Sequence, residues 1–286
     1  MRQDFLFLTG CIPTAVLLAA AMLDRRKRKS RGERPAVSDK LLRPAGWSLE
    51  IQFKNLTDDY VALMVAAFMC SLASVGALGF PPADVLGRSI WLAVAATGAA
   101  GCSMMAWRKR TRIRWNRLGW IGEQAMGEYL GVLASEGCRL FHDVPSDKEN
   151  IDHVVVGPPG VFAIETKGWS KRPGKFGEAK HEAVFDGRAI RFPWGLTARP
   201  LDQARRNKKW LEEFLSNSTG ERVSVQPIVA LPGWWVSVTA KMDSGVWVLS
   251  GKQVAGRIGS EPAKLSPKMI LRIAHQLDQR CREVEF

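Results

Sequence analysis

The chain has 286 residues, 46% of them apolar and 24% charged, with a formal net charge of +13. That length suits one ordinary domain plus a substantial second region, and the five cysteines (Cys11, Cys70, Cys102, Cys138 and Cys281) include no CxxC pair, which excludes a disulfide framework and a cysteine-based zinc module. The basic excess is concentrated in two short runs, which suit membrane topology first and a nucleic-acid patch second: residues 25–34 hold seven Lys/Arg and one acid, residues 108–117 hold six and none, and the rest of the chain is within one charge of neutral.

Both basic runs follow apolar stretches. Phe5–Leu23, Val61–Phe80 and Ile90–Trp107 are 19, 20 and 18 residues without a charge. A helix needs about 20 apolar residues to cross the hydrocarbon core, so the pattern predicts three transmembrane helices. The basic runs orient them by the positive-inside rule. The N-terminus is outside, the loop PPADVLGRS is outside, and everything after residue 117 is cytoplasmic, in a multi-pass arrangement at a bacterial plasma membrane. The expected division is 1–34 (first helix and basic stop), 35–60 (linker), 61–117 (helical hairpin and basic stop) and 118–286 (soluble domain). The stretch 35–57 shows no clear periodicity. Two other readings of the first segment have residues behind them. Ala19-Ala20-Ala21 resembles a signal-peptide cleavage site, but the basic run beyond it resists translocation. Leu8-Thr9-Gly10-Cys11 resembles a lipoprotein box, but the apolar stretch lies on the wrong side of the cysteine.

In the soluble half, the apolar spacing of Ile121–Glu136 predicts a helix beginning near Gly122-Glu123 and ended by Gly137. Strands are expected at Cys138–Val144, Ile151–Val156 and Val161–Lys167, the last two joined in a hairpin by Gly157-Pro158-Pro159-Gly160. Residues 168–195 suggest an extra hairpin around Asp186-Gly187. A helix is expected over Pro200–Ser216, strands over Val225–Leu231 and Val246–Leu249, and two short helices at the end. The order predicts an α/β fold with an αβββαβ core, a mixed sheet flanked by helices.

Strand periodicity places Glu165 and Lys167 on one face, with Phe162 and Ile164 on the other. Asp152 lies on the neighbouring arm of the hairpin. If both faces are covered, these charges must pair or hold an ion. Two carboxylates on adjacent strands make a hard oxygen site, suited to Mg²⁺ or Mn²⁺. Such a metal can hold a phosphate oxygen and generate a hydroxide nucleophile, and a lysine nearby can orient that water and offset developing charge.

The spacing Asp-x12-Glu-x-Lys is weak alone. Its context is more specific: Gly122-Glu123, Ile151-Asp152-His153, Gly160-Val161-Phe162, Ile164-Glu165-Thr166-Lys167 and Gln203-Ala204. From about Gly122 to Leu231 the chain resembles the NERD (nuclease-related) domain of the PD-(D/E)XK nuclease superfamily. The resemblance implies a restriction-endonuclease-like fold and metal-dependent DNA hydrolysis. It implies Asp152 and Glu165 as metal ligands, Lys167 as the catalytic lysine, Glu123 as the first-helix acid serving a second metal or supporting the site, and Gln203 as a supporting glutamine. Ile151 stands where the superfamily's name has proline.

Plainer readings stand beside these. Glu165 and Lys167 also suit an exposed ion pair, worth little. His142 and His153 suit structural roles. Trp169, Trp194, Trp234 and Trp235 suit a core as well as base stacking. Arg205, Arg206, Lys208 and Lys209 suit a solvated helix face as well as phosphate contacts. A nuclease fold kept only for binding nucleic acid or scaffolding at the membrane is the alternative function.

Overall fold

The computed structural model describes residues 40–77, 85–171, 181–240 and 245–284. The expected first helix, Phe5–Leu23, and its basic run lie outside the described residues. The chain divides into two compact units, one containing Asn55–Ile113 and the other Lys40–Lys54 together with Arg114–Glu285.

The first unit is built on helices α1 (Trp47–Ala77) and α2 (Val85–Gly131). Small residues let them pack closely in antiparallel fashion. A Cβ on Gly98 would lie 3.2 Å from Cys70 Sγ, and Ala67, Ala95 and Ala106 are buried. Trp91 Nε1 donates to the Ala73 carbonyl at 3.2 Å, and Lys109 pairs with Asp59. The hydroxyls of Ser71, Ser74 and Thr97 bond back to their own helices, which satisfies them without water. Val61, Met64, Val65, Phe68, Ile90 and Val94 face outward. Three such helices are expected. Among the described residues two are long and apolar enough to cross a membrane, within Trp47–Ser74 and Val85–Ala134.

Two expectations are corrected here. The stretch 35–60 reads as a linker, yet Leu41–Leu42 form strand β1 and α1 begins at Trp47. Its partners are far away in sequence, so no local period marks it: β1 pairs with β11 (Arg282–Val284), and Phe53 stacks on Trp120 at 5.7 Å. The expected helix start at Gly122-Glu123 is instead mid-helix. The Arg- and Lys-rich run before it has good helix propensity and no proline, so nothing stops α2 there.

The core of the second unit is a five-stranded mixed sheet. Its strands are β2 (Arg139–Val144), β3 (Ile151–Gly157), β4 (Gly160–Thr166), β8 (Val225–Leu231) and β10 (Trp247–Ser250), in the order β10-β8-β4-β3-β2. β2, β3 and β4 form an antiparallel meander, whereas β4, β8 and β10 run parallel. The β4-to-β8 crossover passes through α3 (Arg199–Thr219), which has proline in its first turn and ends at Gly220 with φ 73°. α4 (Gly251–Gly259) and α5 (Pro267–Cys281) close the chain.

Both faces of the sheet are covered, which is why β3 and β4 are almost wholly apolar. On one face Val154, Val156, Val161 and Ala163 pack with Leu211 and Leu215 of α3 and Ile273 and Leu277 of α5. On the other, Val155, Phe162 and Ile164 meet Met126 and Leu130 of α2 and Val254 and Ile258 of α4.

Between β4 and α3 the chain adds three strands of a second sheet, which β9, following β8, completes in the order β7-β6-β5-β9. Its strands are β5 (Glu182–Phe185), β6 (Ile190–Phe192), β7 (Gly195–Thr197) and β9 (Trp235–Val238). The expected turn at Asp186-Gly187 joins β5 to β6, with Asp186 Oδ1 accepting from the Arg188 and Ala189 amides. Phe185, Ile190 and Phe192 pack on Leu201, Val229, Leu231 and Val248.

Leu215 is fully buried between the sheet and α5, whereas Leu271 is exposed. Leu215→Ala is expected to destabilise the second unit by about 2–5 kcal/mol through the cavity it leaves. Leu271→Ala is expected to change stability by less than about 0.5 kcal/mol. Urea unfolding of the detergent-solubilised chain, followed by tryptophan fluorescence, measures both.

Candidate active site

Three segments converge at the end of β4. The parallel β4–β8 pairing carries Glu165 and Thr166 opposite Val229 and Ala230, and the Lys167 amide donates to the Ala230 carbonyl at 3.0 Å. Antiparallel pairing with β3 runs only as far as His153↔Ile164. Beyond it the Thr166 amide donates to Asp152 Oδ2 at 2.6 Å, a side chain in place of a ladder carbonyl. Asp152 is thereby fixed against the strand that carries Glu165 and Lys167.

Glu165 is 1% exposed, and both its oxygens are engaged. Lys167 Nζ donates to Oε1 at 2.5 Å, and Asn207 Nδ2 donates to Oε2 at 3.0 Å. Lys167 also donates to Gln203 Oε1 at 3.1 Å. Gln203 and Asn207 are one helical turn apart on α3, so one face of that helix holds both charged groups.

Glu123 comes from α2, which approaches β4 through two glycines. A Cβ on Gly122 would lie 2.7 Å from Gly168 Cα, and a Cβ on Gly168 would overlap the Leu118 carbonyl oxygen. Neither position has room for a side chain. The close approach brings Glu123, itself buried, into the field of Glu165 and Lys167.

The electrostatics follow from three acids facing one ammonium, Glu123 and Glu165 buried and Asp152 half-buried. Burial raises the Glu123 carboxyl to about 8, helped by the charges of Asp143 and Glu165 and opposed by Lys167. Burial, then Glu165 and Glu123, hold Asp152 well above the usual carboxylate range. Burial raises Glu165 also, with Lys167 pulling the other way. Burial works against the charge on Lys167, yet Glu165 and Asp152 keep its value above that of an ordinary lysine. The donor set is all carboxylate oxygen with negative charge in excess, which fits a hard divalent cation. Among the described residues no three His, Cys, Asp or Glu side chains converge closely enough to hold one as they stand.

The other residues singled out by the sequence are placed differently. His142 and His153 face each other with Nδ1 atoms 2.8 Å apart, and burial lowers both below the ordinary histidine value. Trp169, Trp194 and Trp234 pack on one another around Phe192, while Trp235 is exposed. Arg205, Arg206, Lys208 and Lys209 pair with Asp202, Glu149, Glu212 and Glu213. Asn207 was missed by the sequence reading, although its spacing from Gln203 was a usable signal. Asp143, among the charges raising Glu123, was missed too, and no local pattern marks it.

The sign of the Glu123 shift fixes a pH dependence. Its folded value of about 8 lies above the unfolded carboxylate value, so its contribution to stability is full below about 4.5 and is lost as pH rises through 8. Glu123→Gln cannot ionise. The variant is expected to match the parent chain near pH 5 and to melt at higher temperature above pH 8, in metal-free buffer. Differential scanning fluorimetry at the two pH values reads this, and a gap of the same size at both would refute it.

Comparison with known proteins gives a family for this part of the chain. Residues 118–232 match the family described as nuclease-related domain (NERD). No curated protein and no solved structure gives a match. The matched stretch begins in α2 ahead of Glu123, ends just beyond β8, and contains Asp152, Glu165, Lys167 and Gln203, so the chain carries a NERD domain, in keeping with the PD-(D/E)XK superfamily.

Proposed function

We propose that this chain is a membrane-anchored nuclease that hydrolyses DNA phosphodiester bonds with Mg²⁺ or Mn²⁺. The observation that carries the reading is the gathering of Glu123, Asp152 and Glu165, the first and last of them buried, around the ammonium of Lys167 within a nuclease-related domain. Asp152 and Glu165 would hold the metal, with Glu123 serving a second ion or supporting the first. When bound, the metal supplies charge stabilisation at a phosphate oxygen and a water acidic enough to attack at neutral pH.

The protein's own groups do the positioning. The Thr166 amide orients Asp152, and Asn207 orients Glu165. Gln203 and Glu165 hold the Lys167 ammonium, which can orient a water and offset charge developing on the phosphate. On this reading the domain lies at the inner face of a bacterial plasma membrane, with the N-terminus outside. Support for that placement is the outward-facing apolar surface of α1 and α2 and the basic run at 108–117. Reporter fusions active in one compartment only, joined after residues 84 and 286, are expected to report opposite sides.

A second reading has its own observation. Four basic side chains of α3, Arg205, Arg206, Lys208 and Lys209, are already paired with acids, as expected of a nuclease fold kept as a binding or scaffolding module. Three variants decide between them. Asp152→Ala and Glu165→Ala are expected to weaken both Mn²⁺ binding and cleavage. Lys167→Ala removes no metal ligand, so metal binding survives while cleavage falls by roughly a hundredfold or more. DNA binding at fixed salt changes little in any of them, because one phosphate contact among many is a small share of the affinity. A parent chain that binds DNA but cleaves nothing with either metal establishes the module instead.

A further inference from the structure

We propose that Asp143 is a positioning residue for Asp152, held in place by Arg43 and Ser48 from the segment leading into α1, so that the acidic site is complete only while that segment is seated. The inference rests on the nuclease reading for its consequence but not for its geometry.

Asp143 stands in β2 between the pairs His142↔His153 and Val144↔Ile151, and is therefore opposite Asp152. Its backbone has φ 49°, the one positive value outside glycine among the described residues. Aspartate tolerates that region better than most residues, but something must hold it there.

The carboxylate is 5% exposed and binds groups from the distant leading segment and from the nearby Asn150. Ser48 Oγ donates to Oδ2 at 2.6 Å, the Ser48 amide to the same oxygen at 3.2 Å, and Arg43 Nη1 to it at 3.3 Å. Arg43 Nη1 also donates to the Asp143 carbonyl at 3.0 Å. Asn150 Nδ2 donates to Oδ1 at 3.0 Å and to Ser48 Oγ at 2.8 Å. Asn150 lies two residues before Asp152.

One carboxylate thus ties the leading segment, the end of β2 and the start of β3 together. The β2–β3 loop is closed from both ends, and Arg280 Nε donates to the Pro145 carbonyl within it at 2.6 Å. The leading segment is held in turn by β1–β11 pairing and by the Arg43 amide on the Cys281 carbonyl at 3.2 Å. β3 presents Asp152 immediately after this tie, so loosening the tie displaces the carboxylate that meets Thr166.

The Thr166 amide provides the readout, since its partner is the Asp152 side chain. In the full-length chain in detergent, hydrogen exchange at Thr166 is compared in the parent, Arg43→Ala, Arg43→Lys, Asp143→Asn and Ser48→Ala, with Asp152→Ala as the reference for full loss. Mn²⁺ affinity, melting temperature and cleavage are measured alongside. Arg43→Ala and Asp143→Asn are expected to speed Thr166 exchange about tenfold or more. They are also expected to weaken Mn²⁺ binding by about 10–100-fold, the scale seen when a group orienting a ligand is lost. Arg43→Lys is expected to recover most of both. Where cleavage is seen, kcat falls and KM for DNA stays within about twofold.

Unchanged Thr166 exchange and Mn²⁺ affinity, with only the melting temperature lowered, would show a plain structural clamp and overturn the proposal. If Arg43→Ala or Asp143→Asn fails to fold, Ser48→Ala, which removes one hydroxyl, is read by the same criteria. A parent chain that cleaves nothing sinks the nuclease reading, while Thr166 exchange still decides whether Asp143 positions Asp152.

Discussion

Gathering three carboxylic acids around one ammonium, two of them buried and Asp152 half-buried, is the constraint on which the rest of this domain depends. Placing a charge away from water is costly unless it is paired, so every neighbouring element supplies a partner to Glu123, Asp152 or Glu165, or withholds water from it. Strand β4 contributes the Thr166 amide and the Lys167 ammonium, and α3 contributes Gln203 and Asn207. The match is incomplete, because one positive group cannot balance three acids. Their raised proton affinities are what that incomplete match leaves.

The same elements form the core. Helix α3 turns Leu211 and Leu215 toward the sheet, and one turn earlier it turns Gln203 and Asn207 toward the charges. Strand β4 is apolar along both faces until Glu165. Chemistry and stability therefore share their supports. The polar end of each element is held by the apolar length behind it, so core packing sets the precision of the site.

How much of this is legible in the sequence depends on how far apart the partners lie. The β3–β4 turn is marked by Gly157 and Gly160, whose pairing closes it, and the crossover helix by its apolar spacing and by Gly220. Glu165 and Lys167 are legible because strand period puts residues two apart on one face, and here they bond to each other. Asn207 follows from Gln203 by helical spacing. The tie between Arg43 and Asp143 spans 100 residues and leaves no period in either segment. The continuity of α2 through Gly122 was hidden for a different reason: a helix that passes from an apolar stretch into a basic one changes composition without changing conformation.

The approach of Gly122 to Gly168 makes the distance between the helix bearing Glu123 and the strand end bearing Lys167 a matter of main chain against main chain. Most contacts between elements are made by side chains, which hop between rotamers as temperature rises and let the spacing drift. A junction without side chains has no rotamers to populate. The separation of these two elements is thus insulated from the loosening that precedes melting elsewhere, whatever happens to the parts of the site that side chains hold.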